Sequence, residues 1–229
     1  MKKTIFITGI DTDAGKTYCT AWLARQYLDR GLTVATQKFI QTGNVGHSED
    51  IDAHRRLLGI APLPEDLDMT TSPVVFSYPA SAQLAARIDG REIDLSVIDR
   101  STATLASRYD IVLIEGAGGL MVPVTDDFFT VDYIASRNLP VAVVTNGVLG
   151  SINHTVLTLE ALERRGIAVD CVLYNTYFDR DKVIAADTRG FIGRRPRRPR
   201  PRRRGKIMLN RRLLRLKTVT LRLKWILMR

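Results

Sequence analysis

Residues 8–17 constrain the fold more strongly than any other part of the chain. They read Thr-Gly-Ile-Asp-Thr-Asp-Ala-Gly-Lys-Thr and lie between an apolar run at 4–7 and a helical pattern. Strand, glycine-rich loop, Gly-Lys-Thr and helix is the order typical of a phosphate-binding loop. Its glycines let backbone N–H groups approach phosphate oxygens, and the helix N-terminus attracts negative charge. We expect Lys16 to reach the β- and γ-phosphates and Thr17 to ligate Mg²⁺.

This loop is longer than usual. Five residues separate Gly9 from Gly15, one more than in the common pattern, and they include Asp11 and Asp13. An acid beside a polyphosphate either faces away or serves a second ligand. A glycine-rich turn without any ligand is the alternative, but Gly-Lys-Thr at the start of a helix favours the phosphate site.

Apolar runs alternate with helical patterns along the chain, which predicts a parallel sheet with helices on both faces. The fold class is therefore α/β and resembles the P-loop NTPases, with an atypical C-terminal part. Predicted strands cover 3–8, 33–37, 110–115, 140–146 and 168–174; predicted helices cover 16–30, 50–58, 81–88, 95–108, 129–137 and 151–165. Ligands of such sheets bind at the carboxyl ends of the strands.

The net charge of +10 is concentrated at one end of the chain. Residues 194–229 hold 16 of the 34 Lys and Arg and no Asp or Glu, so residues 1–193 carry a net charge of −6. We predict one mildly acidic domain over 1–193 and a basic Arg/Pro-rich tail over 194–229. No apolar run approaches the ~20 residues that span a bilayer, and the apolar N-terminal run is too short for a signal peptide. We expect a cytoplasmic protein without membrane contact.

The cysteines and histidines show no metal-binding spacing. Cys19 and Cys171 are interpreted as buried thiols in a reducing compartment. His47, His54 and His154 share no spacing, so the sequence assigns them neither metal binding nor catalysis.

Charged residues follow two predicted strands. Lys38 is either a solvated loop residue or a second cation against a transferring phosphoryl group. Glu115 ends an apolar strand before Gly-Ala-Gly-Gly, where an acid can complete the shell of Mg²⁺. The acids at 48–52 fit helix capping as well as metal binding. The helix beginning near Ser151 offers either an anion site for a substrate carboxylate or an ordinary cap.

Taken together, these motifs resemble the dethiobiotin synthetase family over about residues 3–190. The matching segments are the long phosphate loop at 9–17, Lys38 with Gln-Thr-Gly at 41–43, Glu-Gly-Ala-Gly-Gly at 115–119, Leu-Gly-Ser-Ile-Asn-His at 149–154, and Asn175. The combination is far more specific than any one of these motifs.

The resemblance implies a ligase of biotin biosynthesis. The family converts 7,8-diaminopelargonic acid (7,8-diaminononanoate), CO₂ and Mg-ATP into dethiobiotin, ADP and phosphate. An amine of the substrate forms a carbamate that attacks the γ-phosphate, and the second amine closes the mixed anhydride into the ureido ring. The family is homodimeric, with a substrate site at the subunit interface, so the resemblance also implies a homodimer.

The resemblance further implies a role for each matching residue. The catalytic groups are Lys16, Lys38 and Thr12; the nucleotide contacts are Asp13, Ala14, Gly15, Lys16, Thr17 and, at the adenine, Asn175; the Mg²⁺ ligands are Thr17, Asp50 and Glu115; the substrate contacts are Thr42, Gly118, Gly150, Ser151, Ile152 and Asn153. Asp50 is preferred to Asp52 because the alignment places it at the family's metal position.

The tail departs from the family. Relatives continue with a Pro-x-Leu-Gly-x-Ile-Pro segment that forms a late strand and contacts the nucleotide base, whereas residues 194–204 here are Arg and Pro alone. The tail is either an arm for nucleic acid or anionic lipid, or an out-of-frame translation. We favour the second, because the match stops within a helix and the composition is unpatterned. It predicts no nucleic-acid partner, no stable packing after about residue 190, no late strand and poor discrimination among nucleoside triphosphates. A helix over 207–228 is also considered, although its Leu and basic residues follow no clean heptad.

Two other functions stay open from the residues alone. One is a different phosphate-loop ATPase or amide ligase, such as a relative of cobyrinic-acid amide synthase or a partitioning ATPase, which needs another substrate segment in place of 149–154. The other is a nucleic-acid-binding protein that acts through its basic tail.

Overall fold

The structure, a computed structural model, describes residues 2–194 and, by their backbone, 217–221. Its strands are β1 (Lys3–Gly9), β2 (Val34–Lys38), β3 (Gln41–Thr42), β4 (Val75–Phe76), β5 (Ile111–Gly119), β6 (Val141–Asn146), β7 (Val169–Asn175) and β8 (Lys217–Leu221). Its helices are α1 (Lys16–Leu28), α2 (Glu49–Leu58), α3 (Pro64–Leu67), α4 (Ala82–Ile88), α5 (Leu95–Arg108), α6 (Thr130–Ser136), α7 (Ser151–Arg164) and α8 (Lys182–Arg194).

Six of these strands form one parallel sheet in the order β2-β5-β1-β6-β7-β8. Ile5, Phe6 and Ile7 of β1 are all fully buried, as expected for a central strand covered on both faces. Phe6 packs among the aromatic rings of Phe39 and Tyr133, while Ile5 and Ile7 belong to the core cluster on the opposite face, beneath α1. The predicted α/β class with helices on both faces is confirmed.

Strand register brings the important loops to one edge of the sheet. Glu115 of β5 pairs with Lys38 of β2 on one side and with Ile7 of β1 on the other. The loop that follows β1 therefore begins beside both residues. Asn175 ends β7 next to Asn146 of β6 at the same edge. Topology alone thus gathers most of the residues singled out in the sequence.

The structure departs from the predicted elements in its short and glycine-rich parts. Strand β5 continues through Gly119, where a turn was expected, and Gly116 allows close packing because a Cβ there would lie 2.8 Å from the ring of Phe6. The two-residue strands β3 and β4 form a separate pair, and α3 is a single turn. Segments this short carry too few residues for a hydrophobic period to appear.

The tail contributes one strand, β8, which runs parallel to β7 from Cys171↔Lys217 to Asn175↔Leu221. The helix considered over 207–228 is therefore not found at 217–221, and the expected absence of a late strand is wrong. The expected lack of stable packing after about residue 190 is also wrong for 191–194, which end α8 with Ile192 buried, and for 217–221, which pair with β7. The run Thr-Val-Thr at 218–220 is β-branched, and β7 would otherwise expose an unpaired edge. The remaining predictions for 195–216 and 222–229 lie outside the described residues.

The structure also bears on two further predictions, that both cysteines are buried thiols and that no segment spans a membrane. Cys19 and Cys171 are free and buried, and burial raises the pKa of each thiol to about 12. Both are therefore poor nucleophiles at neutral pH. Over residues 2–194 and 217–221, no helix has the length and apolar character needed to cross a membrane.

Candidate active site

A cleft of about 830 Å³ opens at the carboxyl ends of β1, β2, β5 and β7. Most of the predicted site residues line it: Thr12, Asp13, Gly15, Lys16, Thr17, Lys38, Thr42, Asp50, Glu115, Gly118 and Asn175. Ala14 lies just behind, with its carbonyl oxygen accepting a hydrogen bond of 3.3 Å from Asn175 Nδ2. One pocket therefore joins the predicted nucleotide, metal and catalytic residues.

The loop between β1 and α1 has the geometry of an anion cradle. Gly15, immediately before α1, adopts φ +90°, and a Cβ there would lie 2.1 Å from Nδ2 of Asn175. Lys16 is 7% exposed, and its Nζ donates to the Asp11 carbonyl oxygen at 3.1 Å. Burial, together with the nearby Lys38 ammonium, lowers the pKa of Lys16. The loop thus holds a largely desolvated cation beside the helix N-terminus, where it can meet an anion.

The cleft explains why Gly15 is a glycine, and we expect Gly15→Ala to weaken ATP binding by at least about tenfold. The new methyl group would displace Asn175, and the left-handed conformation costs a non-glycine residue roughly 1–2 kcal/mol. Calorimetric titration with ATP measures the effect. Gly31→Ala is a matched control because Gly31 also has positive φ, +79°, but nothing lies within 4 Å of its new Cβ. Equal ATP affinities of the two variants would contradict the assigned role of Gly15.

A cluster of opposite charges occupies the floor of the cleft. The Nζ of Lys38 lies 2.5 Å from Asp50 Oδ2 and 3.0 Å from Glu115 Oε1. The Thr17 hydroxyl lies 2.8 Å from Asp50 Oδ1 and 3.1 Å from Glu115 Oε1. Burial alone would raise the pKa of Glu115, but Lys38 and hydrogen bonds from His54 and Lys38 hold it well below its usual range. Burial likewise opposes the charge of Lys38, yet Glu115 and Asp50 raise the pKa of its ammonium group.

The start of helix α2 holds Asp50 in this cluster. Asp50 lies in the first turn of α2, which is capped by Ser48, whose Oγ accepts from Ile51 N at 3.3 Å. Ser48 Oγ also donates to Gln41 Oε1 at 2.6 Å, which ties the start of α2 to β3. Helix capping and a cleft-facing acid therefore coexist in the segment where the sequence left the two interpretations open.

The cluster has the donor set that Mg²⁺ prefers. Thr17, Asp50 and Glu115 offer one hydroxyl and two carboxylates, all oxygen ligands. Across residues 2–194 and 217–221 no group of three or more His, Cys, Asp or Glu is arranged to hold a metal.

His54 is a buried part of the site that sequence reasoning missed. Its Nε2 lies 2.8 Å from Glu115 Oε2, its Nδ1 lies 3.1 Å from Thr36 Oγ1, and its side chain is fully buried. The available signal was its position four residues after Asp50 on α2, since such residues share a helix face. Tyr177 and Phe178, which line the cleft beside Asn175, were also missed.

The predicted substrate contacts fall into two places. Thr42 and Gly118 line the cleft, whereas Gly150, Ile152 and Asn153 line a shallower groove against α8. Ser151 is buried and donates to Asn146 Oδ1 at 2.5 Å. Within one chain, therefore, the start of α7 does not line the cleft. The role of 150–153 in substrate binding stays a prediction.

A largely buried ion pair between Arg55 and Asp66 lies next to the site. Arg55 is 3% exposed and holds Asp66 through Nε and Nη2, at 2.7 and 2.8 Å. We expect Arg55→Leu to lower the free energy of unfolding by about 3 kcal/mol, because it leaves the largely buried Asp66 carboxylate, 10% exposed, without its cation. Urea denaturation measures this loss. Arg100→Leu removes an exposed pair with Asp94 and should change stability by less than about 0.5 kcal/mol; an equal loss in both variants would contradict the account.

Three curated proteins show high similarity to the chain. It is 47% identical over 194 residues to the ATP-dependent dethiobiotin synthetase BioD 2 of Pasteurella multocida, covering 85% of this chain and 91% of that protein. The Haemophilus influenzae protein of the same description is 50% identical, with 80% and 96% covered. The ATP-dependent dethiobiotin synthetase BioD of Chlorobaculum tepidum is 50% identical, with 81% and 78% covered.

A family model and one solved structure extend the comparison. The model, described as an AAA domain, matches residues 3–200. The crystal structure of a ParA family ATPase from Chlorobium tepidum aligns with a TM-score of 0.50 at 17% identity, over 85% of this chain and 82% of that one. At that identity the likeness concerns the fold alone, and it agrees with the parallel sheet described above.

Proposed function

The chain belongs to the dethiobiotin synthetase family, and we propose that it catalyses the Mg-ATP-dependent closure of 7,8-diaminopelargonic acid and CO₂ into dethiobiotin. ADP and phosphate are the other products, and the reaction belongs to biotin biosynthesis. The observation that carries the proposal is the pairing of Lys38 with both Asp50 and Glu115 beside the phosphate loop. It supports a site in which two carboxylates and a cation lie beside the terminal phosphate of a bound nucleoside triphosphate.

The chain's own groups suit phosphoryl transfer. Phosphoryl-transfer sites act mainly by positioning and by electrostatic stabilisation. Lys16 and the N–H groups at the start of α1 bind the β- and γ-phosphates, and Lys38 neutralises charge on the phosphoryl group that is transferred. Asp50, Glu115 and Thr17 hold Mg²⁺, which when bound neutralises further charge on the phosphate oxygens.

The diamine binds on the other side of the transferring group. Thr12, Thr42 and Gly118 all line the cleft. We assign contact with the carbamate or the phosphates to Thr12, contact with the carbamate to Thr42 and contact with the substrate to Gly118. Attack of a carbamate oxygen on the γ-phosphorus forms the new P–O bond, and ADP leaves with the electron pair. The second amine then attacks the carbamate carbon and expels phosphate, which closes the ring. Because Lys16 and Lys38 are largely buried, both cations act in a site with little water.

We further propose a cytoplasmic homodimer. Residues 150–153 are predicted substrate contacts but lie outside the cleft of their own chain, so a second copy would have to supply them. Leu149, beside them, is 81% exposed and so is accessible to a partner. Size-exclusion chromatography with light scattering distinguishes the dimer from a monomer, and a stable active monomer would contradict this part of the proposal.

Phosphate release tests the substrate assignment. In the presence of Mg-ATP and bicarbonate, we expect phosphate to appear only when the diamine is added. A protein that binds ATP but releases no phosphate on addition of the diamine would show that the substrate is wrong. Relatives with another substrate, such as an amide ligase, would give that result.

We also expect weak discrimination between ATP and other nucleoside triphosphates. The amide of Asn175 already donates to the Ala14 carbonyl and accepts from Tyr177 N at 3.0 Å, which leaves it one donor and one acceptor position. One further hydrogen bond to a base is worth about 0.5–1.5 kcal/mol, roughly a factor of ten in specificity. Comparing kcat/KM for ATP and GTP measures it, and a preference above about 10³-fold would contradict this expectation.

A further inference from the structure

The two oxygens of the Glu115 carboxylate have separate tasks. Oε1 faces the cleft, where Lys38 Nζ lies at 3.0 Å and Thr17 Oγ1 at 3.1 Å. Oε2 faces the protein interior, where His54 Nε2 lies at 2.8 Å. Glu115 is 1% exposed and His54 is 0% exposed, so water does not compete for Oε2. The orientation of the carboxylate therefore depends on His54.

His54 is itself held by a chain of buried polar groups. Its Nδ1 lies 3.1 Å from Thr36 Oγ1, and Arg55 Nη1 lies 2.9 Å from the same oxygen. Arg55 is fixed in turn by its two bonds to Asp66. The side chains of Thr36 and Arg55 are buried as well. Four polar groups thus connect the α3 region to Glu115.

The chemistry of donors and acceptors limits how the hydrogens are placed in this series of hydrogen bonds from Arg55 to Glu115. A guanidinium group can only donate, so Thr36 Oγ1 accepts from Arg55 and keeps its own hydrogen for His54 Nδ1. A carboxylate paired with Lys38 can only accept, so the hydrogen of the imidazole lies on Nε2 and is donated to Glu115. The Glu115 end therefore requires hydrogen on Nε2 of His54, and the Thr36 end is compatible with it, since the hydroxyl can donate to an unprotonated Nδ1.

We propose that His54 is a positioning residue, which anchors Oε2 of Glu115 so that Oε1 is the oxygen presented to Mg-ATP. Thr36 and Arg55 hold the Nδ1 side of its ring. This inference rests on the proposed function, because it assigns the anchored oxygen to the metal. Hydrogen-bonded partners of metal ligands commonly have this effect, and their removal costs about 10–100-fold in metal affinity or activity.

Substitutions of similar shape separate this role from simple core packing. In His54→Gln the amide nitrogen takes the place of Nε2 and can still donate to Glu115. In His54→Asn the shorter amide reaches the place of Nδ1 and leaves Oε2 without a donor. His54→Leu fills the volume and removes both nitrogens. If packing alone mattered, His54→Leu would be the mildest of the three changes.

The test is the affinity for Mg²⁺ at saturating ADP, measured by calorimetric titration of the metal. We expect Mg²⁺ affinity to fall by about 10–100-fold in His54→Leu and His54→Asn and to stay within about threefold of wild type in His54→Gln. Thr36→Val should lose less than about tenfold, because it removes the partner of Nδ1 but leaves the Nε2 donor to Glu115 in place. Should His54→Leu fail to fold, the Gln/Asn comparison still decides the outcome.

Tyr133→Phe is the control for a general loss of stability. It removes a part-buried hydrogen bond of 3.0 Å to Asp99, away from the cleft, and should leave Mg²⁺ affinity unchanged. Wild-type Mg²⁺ affinity in His54→Leu, or equal losses in His54→Gln and His54→Leu, would overturn the inference alone. Binding of ADP to the wild-type protein without any dependence on divalent metal would overturn the proposed metal site as well.

Discussion

Replacing Lys38 with Ala is expected to lower kcat by about 10²–10³-fold, as the removal of a preorganised charge-stabilising contact typically does. Lys38 is buried and lies against both Asp50 and Glu115. Its loss leaves two carboxylates facing the transferring phosphoryl group without their cation. The effect should fall on kcat rather than on the KM for ATP, because the interaction grows in the transition state. Lys16→Ala should cost a similar factor, with an added loss of ATP affinity.

Steady-state kinetics with the diamine and ATP varied in turn measures kcat and the KM for ATP. Lys3→Ala is a matched control because Lys3 also pairs with an acid, Asp170, but at the opposite end of β1. Its kcat should stay within about twofold of wild type. If Lys38→Ala also stayed within that range, Lys38 would have a structural role only.

Glu115→Gln is expected to lower kcat by about 10³-fold, equivalent to several kcal/mol of lost charge stabilisation. The amide keeps the shape but removes the negative charge that pairs with Lys38. It can also present its NH₂ group to Lys38 or His54, both of which need an acceptor. The Mg²⁺ concentration required for half-maximal rate should rise together with the fall in kcat. Measuring rates over a range of Mg²⁺ concentrations separates the two effects.

Glu65→Gln provides the control for this variant. Glu65 is also buried and ionised, since its bonds to Arg108 and Tyr109 outweigh the effect of burial and lower its pKa, but it lies outside the cleft. Its substitution should lower stability and leave the Mg²⁺ dependence unchanged. An unchanged Mg²⁺ dependence in Glu115→Gln would instead exclude Glu115 as a metal ligand.

Much of the site could be predicted because it depends on local patterns. Lys16 and Thr17 belong to one contiguous motif, while Lys38 and Glu115 end buried strands whose register is set by parallel pairing. Asp50 follows a recognisable helix cap, but its choice over Asp52 came from the family resemblance. For Lys38 and Glu115 the ends of the predicted strands also indicate the edge of the sheet on which they lie.

The remaining features depend on contacts between distant parts of the chain. His54 looked like an isolated histidine on a helix, since its partners Glu115 and Thr36 come from β5 and β2. Strand β8 is set by pairing with β7 rather than by a clear period of its own. The groove at 150–153 lies away from the cleft because α7 packs against α8, which no motif indicated.

The mass of the product formed from the diamine, Mg-ATP and ¹³C-bicarbonate decides whether the chain makes dethiobiotin. We expect dethiobiotin that carries a single ¹³C atom, in its ureido carbon, with one phosphate released for each molecule formed. Phosphate release without labelled dethiobiotin, or labelled product formed without ATP, would contradict the proposed function.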